Sequence, residues 1–302
     1  MSFRPICIVG PTSSGKTALA LQLAKQFDGE IVNADASQMY RGLTVGTGKP
    51  VGTWENGVFL VEGIRHHAFD VLEPTETCTV TQWKELAQKA VEEIMARGKL
   101  PIVVGGTGLY VQSLVDDFVP PAVVPQSDLR EKMARMSLQG LQEWLKEVDA
   151  KSYGFIDIQN PRRVQRAIEV AVTTGESFVD QQTKGPKALD ALQMGIEHVR
   201  EILYTRIDDA VEEKLKAGWI EEVKKLLEQG VPMDAPAFQA IGYRDVMVHL
   251  QNRMTHSALL QTIQQATRHY AKRQVTWFKR DARIHWIADH AEAEKFVQAW
   301  ME

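Results

Sequence analysis

A strand–loop–helix pattern near the amino terminus restricts this chain to the α/β folds that bind phosphate. The pattern contains a complete G-x-x-x-x-G-K-[ST] loop, and it follows an apolar run at residues 5–9 that predicts a buried strand. Apolar residues at helical spacing then continue as far as Phe27. The loop consists of Gly10, Pro11, Thr12, Ser13, Ser14, Gly15, Lys16 and Thr17.

The residue types of the loop explain how it would contact phosphate. Gly10 and Gly15 let successive backbone N–H groups converge on an anion, and Lys16 adds a positive charge. Thr17 offers a hydroxyl to Mg²⁺ at the start of the following helix. We therefore predict that residues 10–17 bind the phosphate groups of a substrate and that Mg²⁺ is the cofactor, with Thr17 as its protein ligand.

The order of predicted elements indicates an α/β fold, with a P-loop NTPase-like parallel sheet flanked by helices. Short apolar strands alternate with helical patterns through residues 1–118, which we assign to the first part of the core. Residues 119–186 begin as a proline-rich loop and continue in short helical patterns, which predicts a helical insertion. Residues 187–302 are mostly helical and are expected to complete the core and form a helical C-terminal region.

The composition is that of an ordinary globular protein, because 44% of the residues are hydrophobic and 25% are charged. The sequence has no apolar stretch of the length that crosses a bilayer and no signal-like segment before the first strand. We therefore expect a cytoplasmic protein without a membrane partner. The net charge of −4 argues against nucleic-acid binding through overall charge, so any such binding must use local basic clusters.

An acidic residue follows the second predicted strand, which covers residues 30–34. Ligands of open α/β sheets gather at the carboxyl ends of the strands, so we expect Asp35 to lie near the phosphate loop. Aspartate is also a favoured N-cap residue, and capping is the alternative role for Asp35. The two roles are compatible.

The strand predicted at residues 101–104 ends in Gly105 and Gly106 rather than in an acid. P-loop hydrolases and kinases carry a carboxylate at such a position, where it helps to hold Mg²⁺. The absence of this carboxylate argues against simple ATP hydrolysis. A kinase or ATPase stays open as an alternative only if Asp35 or Asp70 takes over the role.

Further local predictions concern the remaining elements. The polar stretch at residues 54–57 is typical of a turn, and residues 66–72 are predicted to form a strand. The predicted helices of the second half cover residues 203–218, 220–229, 242–250 and 256–280.

Two basic clusters differ from the acidic average of the chain. Arg162, Arg163 and Arg166 fall in the first turns of a helix predicted to begin at Asn160, where they oppose the helix dipole, and an anionic ligand is one explanation. The helix at 256–280 alternates basic and aromatic residues, which suits RNA, although an amphipathic helix with its aromatics in the core explains the pattern equally well. The candidate RNA-binding residues of that helix are Arg268, Lys272 and Arg273.

Several separate segments together resemble the tRNA dimethylallyltransferase family, also called tRNA isopentenyltransferases. The resemblance runs from the phosphate loop to Trp286, and its most specific parts are the Gly-Thr-Gly-Lys-Pro loop at 46–50 and the Ala-Lys-Arg-Gln-x-Thr-Trp-Phe run at 271–278. The other matching segments are 10–17, 35–41, 66–67, 105–110, Arg163 with 166–170, 241–243 and 267–270.

The resemblance implies transfer of a dimethylallyl group from dimethylallyl diphosphate to the exocyclic N6 amine of an adenosine next to the anticodon of tRNA, with Mg²⁺ assisting. It also implies that Asp35 accepts a hydrogen bond or proton from the amine, that Thr107 lies near the reacting groups, and that Arg206 contacts the diphosphate. The helical insertion would contact the anticodon stem-loop. The implied tRNA contacts are Asp35, Ala36, Ser37, Gln38, Thr107, Arg130, Gln159, Asn160, Pro161, Arg162 and Arg163.

The chain departs from the pattern of this family in three places. Ala36 stands where the family has serine, residues 159–161 differ from its His-Pro-Asn-Asp stretch, and Ala210 replaces the arginine expected four residues after Arg206. A free adenine-nucleotide prenyltransferase of the same fold is the alternative that needs no RNA-binding insertion. We expect the protein to be a monomer.

Overall fold

A computed structural model describes residues 4–185 and 188–302. They divide into two compact units. Residues up to 115 together with residues 189–302 form one unit, here called the core unit, and residues 116–188 form the other, here called the insertion unit. The limits predicted from sequence for the insertion are 119 and 186. The predicted boundary at residues 186 and 187 lies outside the described residues.

The core unit contains one eight-stranded sheet, and the insertion unit contains a pair of two-residue strands. The strands are β1 (Ile6–Val9), β2 (Gly29–Asn33), β3 (Thr53–Glu55), β4 (Val58–Val61), β5 (Ile64–His67), β6 (Leu100–Gly105), β7 (Phe118–Val119), β8 (Thr183–Lys184), β9 (Leu192–Ile196) and β10 (His285–Ile287). The order across the large sheet is β10-β9-β1-β6-β2-β5-β4-β3. Its strands run parallel except where β3, β4 and β5 pair in antiparallel hairpins.

Helices follow the strands of the core unit and make up most of the insertion unit. They are α1 (Lys16–Gln26), α2 (Val80–Ala96), α3 (Gly108–Val115), α4 (Ser127–Ala134), α5 (Leu138–Val148), α6 (Ala150–Phe155), α7 (Pro161–Thr174), α8 (Arg200–Lys216), α9 (Trp219–Glu228), α10 (Tyr243–Leu250), α11 (His256–Phe278) and α12 (His290–Met301). Among the described residues, none of these helices combines the length and apolar character that a bilayer crossing needs.

Helix starts follow local sequence signals. Thr79 caps α2 through a reciprocal capping box with Gln82. Asn160 caps α7 and Pro161 occupies its first turn, which is the position where proline is tolerated because its missing N–H would be unbonded. The predicted start of α7 at Asn160 is therefore confirmed.

The sheet of the core unit is covered on both faces. Leu19 and Leu23 of α1 pack in one apolar cluster with the side chains of one sheet face, while Trp83 of α2 and Leu114 of α3 pack in a second cluster with those of the other. The central strand β1 lies between β6 and β9, and its four residues are fully buried. This pattern is typical of a parallel sheet buried between two helical layers.

Two local predictions are right in type but wrong in extent. Residues 54–57 do not form a simple turn, because β3 and β4 make a hairpin whose tight turn is confined to Asn56 and Gly57, both with positive φ. The strand predicted at 66–72 ends at His67, since Ala68 and Asp70 adopt left-handed conformations that an extended strand excludes.

Helices α8 to α11 form a separate apolar cluster within the core unit. Its largest fully buried side chains are Trp219, Phe238 and Tyr243. Leu203, Ile207 and other apolar residues of α8 contribute to this cluster, so α8 is fixed along the side that buries them. The adjacent side of α8 lines the site described below.

The insertion unit has its own core. Met133, Leu141, Leu145, Val164 and Ile168 are buried together within it. The helical character predicted for this segment is confirmed by α4 to α7.

Candidate active site

The phosphate loop connects β1 to α1. Gly10 and Gly15 have φ angles of 139° and 97°, which side-chain-bearing residues rarely adopt. Gly15 caps α1, so the N–H groups of Lys16 and Thr17 lie in the first turn, where no preceding helical carbonyl can accept them. The buried hydroxyl of Ser14 has no hydrogen-bond partner among the described residues. The loop thus presents donors to an anion.

A cavity of about 500 Å³ opens over this loop, and its whole lining belongs to the core unit. The loop contributes residues 12–17, while Gly10 and Pro11 do not line the cavity. The other lining residues are Ala18, Asp35, Gln38, Thr47, Gly48, Val104, Gly105, Arg206, Asp209, Ala210, Glu213, Lys214 and Gln274.

Lys16 is held inside the cavity by its own loop. Its Nζ donates a hydrogen bond of 2.5 Å to the carbonyl of Pro11. Burial lowers the pKa of Lys16 to about 8, and the nearby carboxylate of Asp35 acts in the opposite direction. An anionic ligand would raise this pKa again. Binding of an anion and protonation of Lys16 therefore favour each other.

Arg206 of α8 lies over the same loop. A Cβ placed on Gly15 would come 3.5 Å from Nη2 of Arg206, so the guanidinium group lies next to the second glycine. In the described part of the chain, neither Arg206 nor Lys16 nor Lys214 forms an ion pair with a carboxylate. Three cations around one cavity without carboxylate partners fit a ligand with several negative charges.

Asp35 combines the N-cap role with the position near the phosphate loop, the two possibilities that the sequence left open. Its Oδ1 accepts hydrogen bonds from the backbone N–H of Ser37 at 3.0 Å and from its hydroxyl at 2.6 Å, which caps the short 3₁₀ helix Ala36–Met39. The same side chain lines the cavity. The expected proximity of Asp35 to the phosphate loop is therefore seen, whereas its catalytic role stays a prediction.

Thr107 does not line the cavity but supports the segment that carries Asp35. Its hydroxyl accepts a hydrogen bond of 3.1 Å from the N–H of Ala36, and its own N–H donates to the carbonyl of Ala34 at 3.1 Å. Gln38 lines the cavity and donates to the carbonyls of Thr47 and Gly48. The hydrogen bonds of Thr107 thus hold the end of β2 in place, and those of Gln38 connect the residues after Asp35 to Thr47 and Gly48.

The glycines at the end of β6 are required by space. A Cβ on Gly105 would lie 2.1 Å from the carbonyl oxygen of Ala34, and one on Gly106 would lie 2.0 Å from Nε2 of Gln274. A side chain at Gly105 would clash with the backbone of Ala34, and one at Gly106 would displace the amide of Gln274, which explains why β6 carries no terminal carboxylate. Asp70, the other acid considered for that role, is bound to the buried amine of Lys49.

Gln274 connects α11 to two parts of the site. Its Oε1 accepts a hydrogen bond from the N–H of Thr12 at 2.9 Å, and its Nε2 donates to the carbonyl of Gly106 at 2.9 Å. The side chain is buried. It therefore ties the phosphate loop to the end of β6. The sequence did not reveal this role, although Gln274 belongs to the family-specific run at 271–278.

The loop at residues 44–48 is fixed by one carboxylate. Glu222 of α9 accepts hydrogen bonds from the N–H groups of Thr44 at 2.8 Å, Val45 at 2.6 Å and Gly46 at 3.2 Å. The hydroxyl of Tyr243 donates to the same carboxylate at 2.7 Å. Burial and this carboxylate raise the pKa of Tyr243. The loop can therefore present Thr47 and Gly48 to the cavity in a defined position.

The protein side chains at the site could supply only a few metal ligands. Among the described residues, no group of three or more His, Cys, Asp or Glu side chains could hold a metal ion. Thr17 and Asp35 line the cavity together. This donor set fits Mg²⁺, which is bound in phosphate sites by one or two protein oxygens together with substrate phosphates and water.

Helix α11 has features of both interpretations given for its sequence, an RNA-binding helix and an amphipathic helix that packs on the core. Its inner side buries Ala271, Gln274 and Phe278, as expected for an amphipathic helix. Arg268 is ion-paired with Asp208 through contacts of 2.5 and 2.8 Å. Lys272 and Arg273 are exposed, and their RNA contacts stay a prediction.

The remaining predicted tRNA contacts belong to the insertion unit. Arg166 donates to Glu169 at 2.5 Å, and Arg130 binds the same buried carboxylate at 2.7 and 2.9 Å. The buried carboxylate of Glu169 therefore explains why Arg166 lies in the first turns of α7. No external anionic ligand is required to explain its position. Asn160 caps α7 by accepting hydrogen bonds from the N–H groups of Arg162 and Arg163. The tRNA contacts of Arg130 and residues 159–163 stay predictions.

Two functional candidates were missed from sequence, Gln274 and Lys214. The signal for Gln274 is weak, because a polar residue in a helix is usually exposed. The signal for Lys214 was available, since it stands four residues after Ala210 and eight after Arg206 and must share their side of α8.

The fold and the cavity define a P-loop protein whose cavity suits a ligand with several negative charges and whose β6 lacks the strand-end carboxylate of the hydrolases. Comparisons with known proteins identify its family. The IPP transferase family model matches residues 38–281, and the isopentenyl transferase model matches residues 4–58. The chain belongs to the tRNA dimethylallyltransferase family and is a transferase, which confirms the resemblance seen in its sequence.

Relatives match over almost the whole chain. The chain is 39% identical to the tRNA dimethylallyltransferase of Thermomicrobium roseum, over 93% of this chain and 85% of that protein. The crystal structure of the full-length tRNA isopentenylpyrophosphate transferase from Bacillus halodurans shares 33% identity and a TM-score of 0.72, covering 99% of this chain and 96% of that one.

A eukaryotic dimethylallyltransferase acting on tRNA shares 26% identity with a TM-score of 0.74, over 96% of this chain and 75% of that one. These structural matches confirm the predicted P-loop NTPase-like fold class.

Proposed function

We propose that this protein transfers the dimethylallyl group of dimethylallyl diphosphate to the N6 amine of an adenosine next to the anticodon of tRNA. The observation that carries the proposal is the content of one cavity. Lys16, Arg206 and Lys214 line it without carboxylate partners in the described residues, and Asp35 lines it with them. The cations suit a diphosphate, and the carboxylate suits an amine nucleophile.

The bonds that change fit this arrangement. The bond between the allylic carbon and the diphosphate oxygen breaks, and its electron pair stays with the oxygen. The amine nitrogen forms a new bond to that carbon, and the proton it loses passes to Asp35. Lys16, Arg206 and the N–H groups of the loop stabilise the charge that develops on the leaving group. No water has to be activated against phosphorus, which agrees with the glycines at the end of β6.

Mg²⁺ is part of the proposal as the cofactor. The hydroxyl of Thr17 would hold it together with the phosphate oxygens of the donor, and the ion would supply positive charge that neutralises the leaving diphosphate. The small number of protein ligands at the site supports Mg²⁺ rather than a metal held by protein ligands alone.

Binding of the acceptor requires that the adenosine leaves its stack. A base that reacts at its exocyclic amine is commonly turned out of the helix or loop into a pocket. Asp35 and Gln38 line the cavity and are our candidates for contacts with this base. Exposed Lys272 and Arg273 and the basic residues of the insertion unit are our candidates for the tRNA backbone. We also propose that the protein acts as a monomer in the cytoplasm.

The test is a transfer assay with three arms. Purified protein is incubated with dimethylallyl diphosphate labelled in its prenyl group, Mg²⁺ and unmodified tRNA, and labelled tRNA and released diphosphate are expected in equal amounts. AMP replaces tRNA in the second arm, and transfer to AMP at the same rate would favour the free-nucleotide alternative. In the third arm ATP is supplied without a prenyl donor, and its steady turnover would favour a kinase or ATPase.

A further inference from the structure

One side of α8 faces the cavity along three helical positions. Residues four apart lie on the same side of a helix, so Arg206, Ala210 and Lys214 form one stripe, and all three line the cavity. Ala210 contributes only a methyl group. The amine of Lys214 lies 5.9 Å from the ring centroid of Trp219, and Lys214 lines the cavity one turn beyond Ala210.

The amine of Lys214 has one hydrogen bond to a loop carbonyl. Its Nζ donates to the carbonyl of Gly46 at 3.1 Å, and it lies 3.1 Å from the position that a Cβ on Gly48 would take. A lysine amine has three donors, so two of them are left for a ligand. Lys216 on the same helix behaves differently, since it is exposed and pairs with Glu212 at 2.5 Å.

The charges around Lys214 show what its amine does for the cavity. The lining contains three cations, Lys16, Arg206 and Lys214, and three acids, Asp35, Asp209 and Glu213. Burial lowers the pKa of Lys214, and the carboxylates of Asp35 and Glu222 act in the opposite direction. Without Lys214 the acids of the lining would outnumber its cations, which weakens the attraction for a diphosphate.

We propose that Lys214 is a diphosphate-binding residue and supplies, from one turn further along α8, the positive charge that Ala210 does not provide. The proposal rests on the proposed function, because it assigns the donor's diphosphate as the ligand. In the free protein the amine is kept near the cavity by the carbonyl of Gly46. When the donor binds, the two remaining donors of the amine bond to phosphate oxygens, alongside Lys16 and Arg206.

The first experiment measures inorganic diphosphate binding by calorimetry at fixed Mg²⁺, without tRNA. Lys214→Met is expected to weaken the affinity on the order of 10- to 100-fold, as for the loss of a charge-assisted hydrogen bond. Lys216→Met is the matched control on the same helix and should bind diphosphate as the wild type does. Unchanged affinity in Lys214→Met would overturn the proposal. Thermal unfolding of both variants confirms that the compared proteins are folded.

The second experiment returns a cation to the stripe. The double variant Lys214→Met/Ala210→Arg should recover most of the lost diphosphate affinity, whereas a purely structural role of Lys214 in holding the Gly46 carbonyl predicts no recovery. No recovery would therefore overturn the proposal. In the transfer assay Lys214→Met should raise the KM for the donor and leave the KM for tRNA within about twofold of the wild type, as expected for a contact with the donor alone.

The outcome also separates this proposal from the proposed function. Wild-type protein that transfers the prenyl group, with a Lys214→Met variant that binds diphosphate normally, would overturn the role of Lys214 alone. Wild-type protein that binds diphosphate but modifies no tRNA would overturn the proposed function, while the comparison of the variants would still report on Lys214.

Discussion

At the scale of single residues, a few side chains of the site use only part of their hydrogen-bonding capacity within the protein. Their remaining polar groups are available to a ligand. Asp35 uses Oδ1 to cap a short helix and still lines the cavity. Lys16 is bonded only to its own loop, and Ser14 has a buried hydroxyl with no partner among the described residues. Such residues can be changed with small effects on folding, so their variants report on function.

Replacing Asp35 by asparagine should remove the proton acceptor and keep the cap. Asparagine caps helices as well as aspartate does, so the hydrogen bonds to Ser37 should survive. We expect the single-turnover rate of prenyl transfer to fall at least about 100-fold, as is usual when a general base is lost. Binding of tRNA should be largely retained in a gel-shift measurement. A variant with wild-type transfer rate would remove the proposed role of Asp35.

The affinity for the prenyl donor should depend on pH through Lys16. Because the pKa of Lys16 is lowered to about 8 in the free protein, the amine is increasingly neutral above this pH and must take up a proton when the diphosphate binds. The affinity is therefore expected to be constant below pH 8 and to fall above it, by at most about tenfold per pH unit for one proton.

Calorimetry between pH 7 and pH 10 with a non-reactive thio analogue of the donor measures this effect. Lys16→Met should bind the analogue about 100-fold more weakly, since a charged hydrogen bond is lost, and its affinity should depend less on pH. Lys214 also has a lowered pKa and contributes to what remains of the slope. Identical pH profiles for wild type and Lys16→Met would contradict the assignment.

At the scale of elements, the cavity is made by the ends of strands and by helices from the far half of the chain. The loop at 44–48 is held by Glu222 of α9, and the phosphate loop is held by Gln274 of α11. Both contacts fix backbone groups, so each helix sets the position of a loop rather than contributing a reacting group.

Glu222→Gln should loosen the loop at 44–48. The amide nitrogen of glutamine donates hydrogen bonds, so it cannot replace a carboxylate oxygen that faces N–H groups, and one or two bonds should be lost at a cost of about 1 to 3 kcal/mol each. We expect faster hydrogen exchange in peptides covering residues 44–48. Glu221→Gln, an exposed neighbour on α9, is the matched control. Equal protection in both variants would show that the carboxylate does not fix the loop.

The sequence predicts those elements whose signals are local. The strand, loop and helix around Lys16 and the capped starts of α2 and α7 can be recognised without the fold. Short β9 and β10 were not predicted, because Gln193, Gly195 and Trp286 break the apolar pattern and the strands are stabilised by pairing with distant partners. In α8 the resemblance predicted Arg206 at the site, and the helical spacing that would have added Lys214 was present in the sequence but was not used.

At the scale of the whole molecule, each of the two units is stabilised by its own core. In the insertion unit that core includes a buried carboxylate, Glu169, which accepts hydrogen bonds from Arg130, Arg166 and the N–H of Gln126. Burial alone would raise the pKa of Glu169, but the bonds from Arg130, Gln126 and Arg166 lower it to about 2. The stability of this unit is therefore linked to pH.

The sign of this dependence follows from the lowered pKa. The unfolded chain takes up the proton first, so the contribution of Glu169 is complete above its ordinary pKa of 4.5 and is lost as pH falls towards 2. The loss amounts to at most about 3.4 kcal/mol, because the pKa falls from 4.5 to about 2 and each pKa unit corresponds to 1.36 kcal/mol. Glu169→Gln should cause a loss of similar size at neutral pH.

Hydrogen exchange resolved by peptide is the measurement for the insertion unit. Peptides from α4 and α7 should lose protection in Glu169→Gln at neutral pH, while those from β1 and β6 should not change. Glu176→Gln, an exposed substitution in the same unit, is the control and should leave all of these peptides unaffected. Loss of protection in both variants, or in neither, would contradict the role assigned to Glu169.

The bond between Gln274 and the N–H of Thr12 joins positions 262 residues apart. During synthesis the phosphate-binding motif therefore leaves the ribosome long before α11, the helix that completes it. A nascent chain that ends before residue 256 contains the whole phosphate-binding sequence and lacks the side chain that fixes it. Donor binding should thus begin only after α11 has been made, and residues 1–255 should not serve as a detachable diphosphate-binding module.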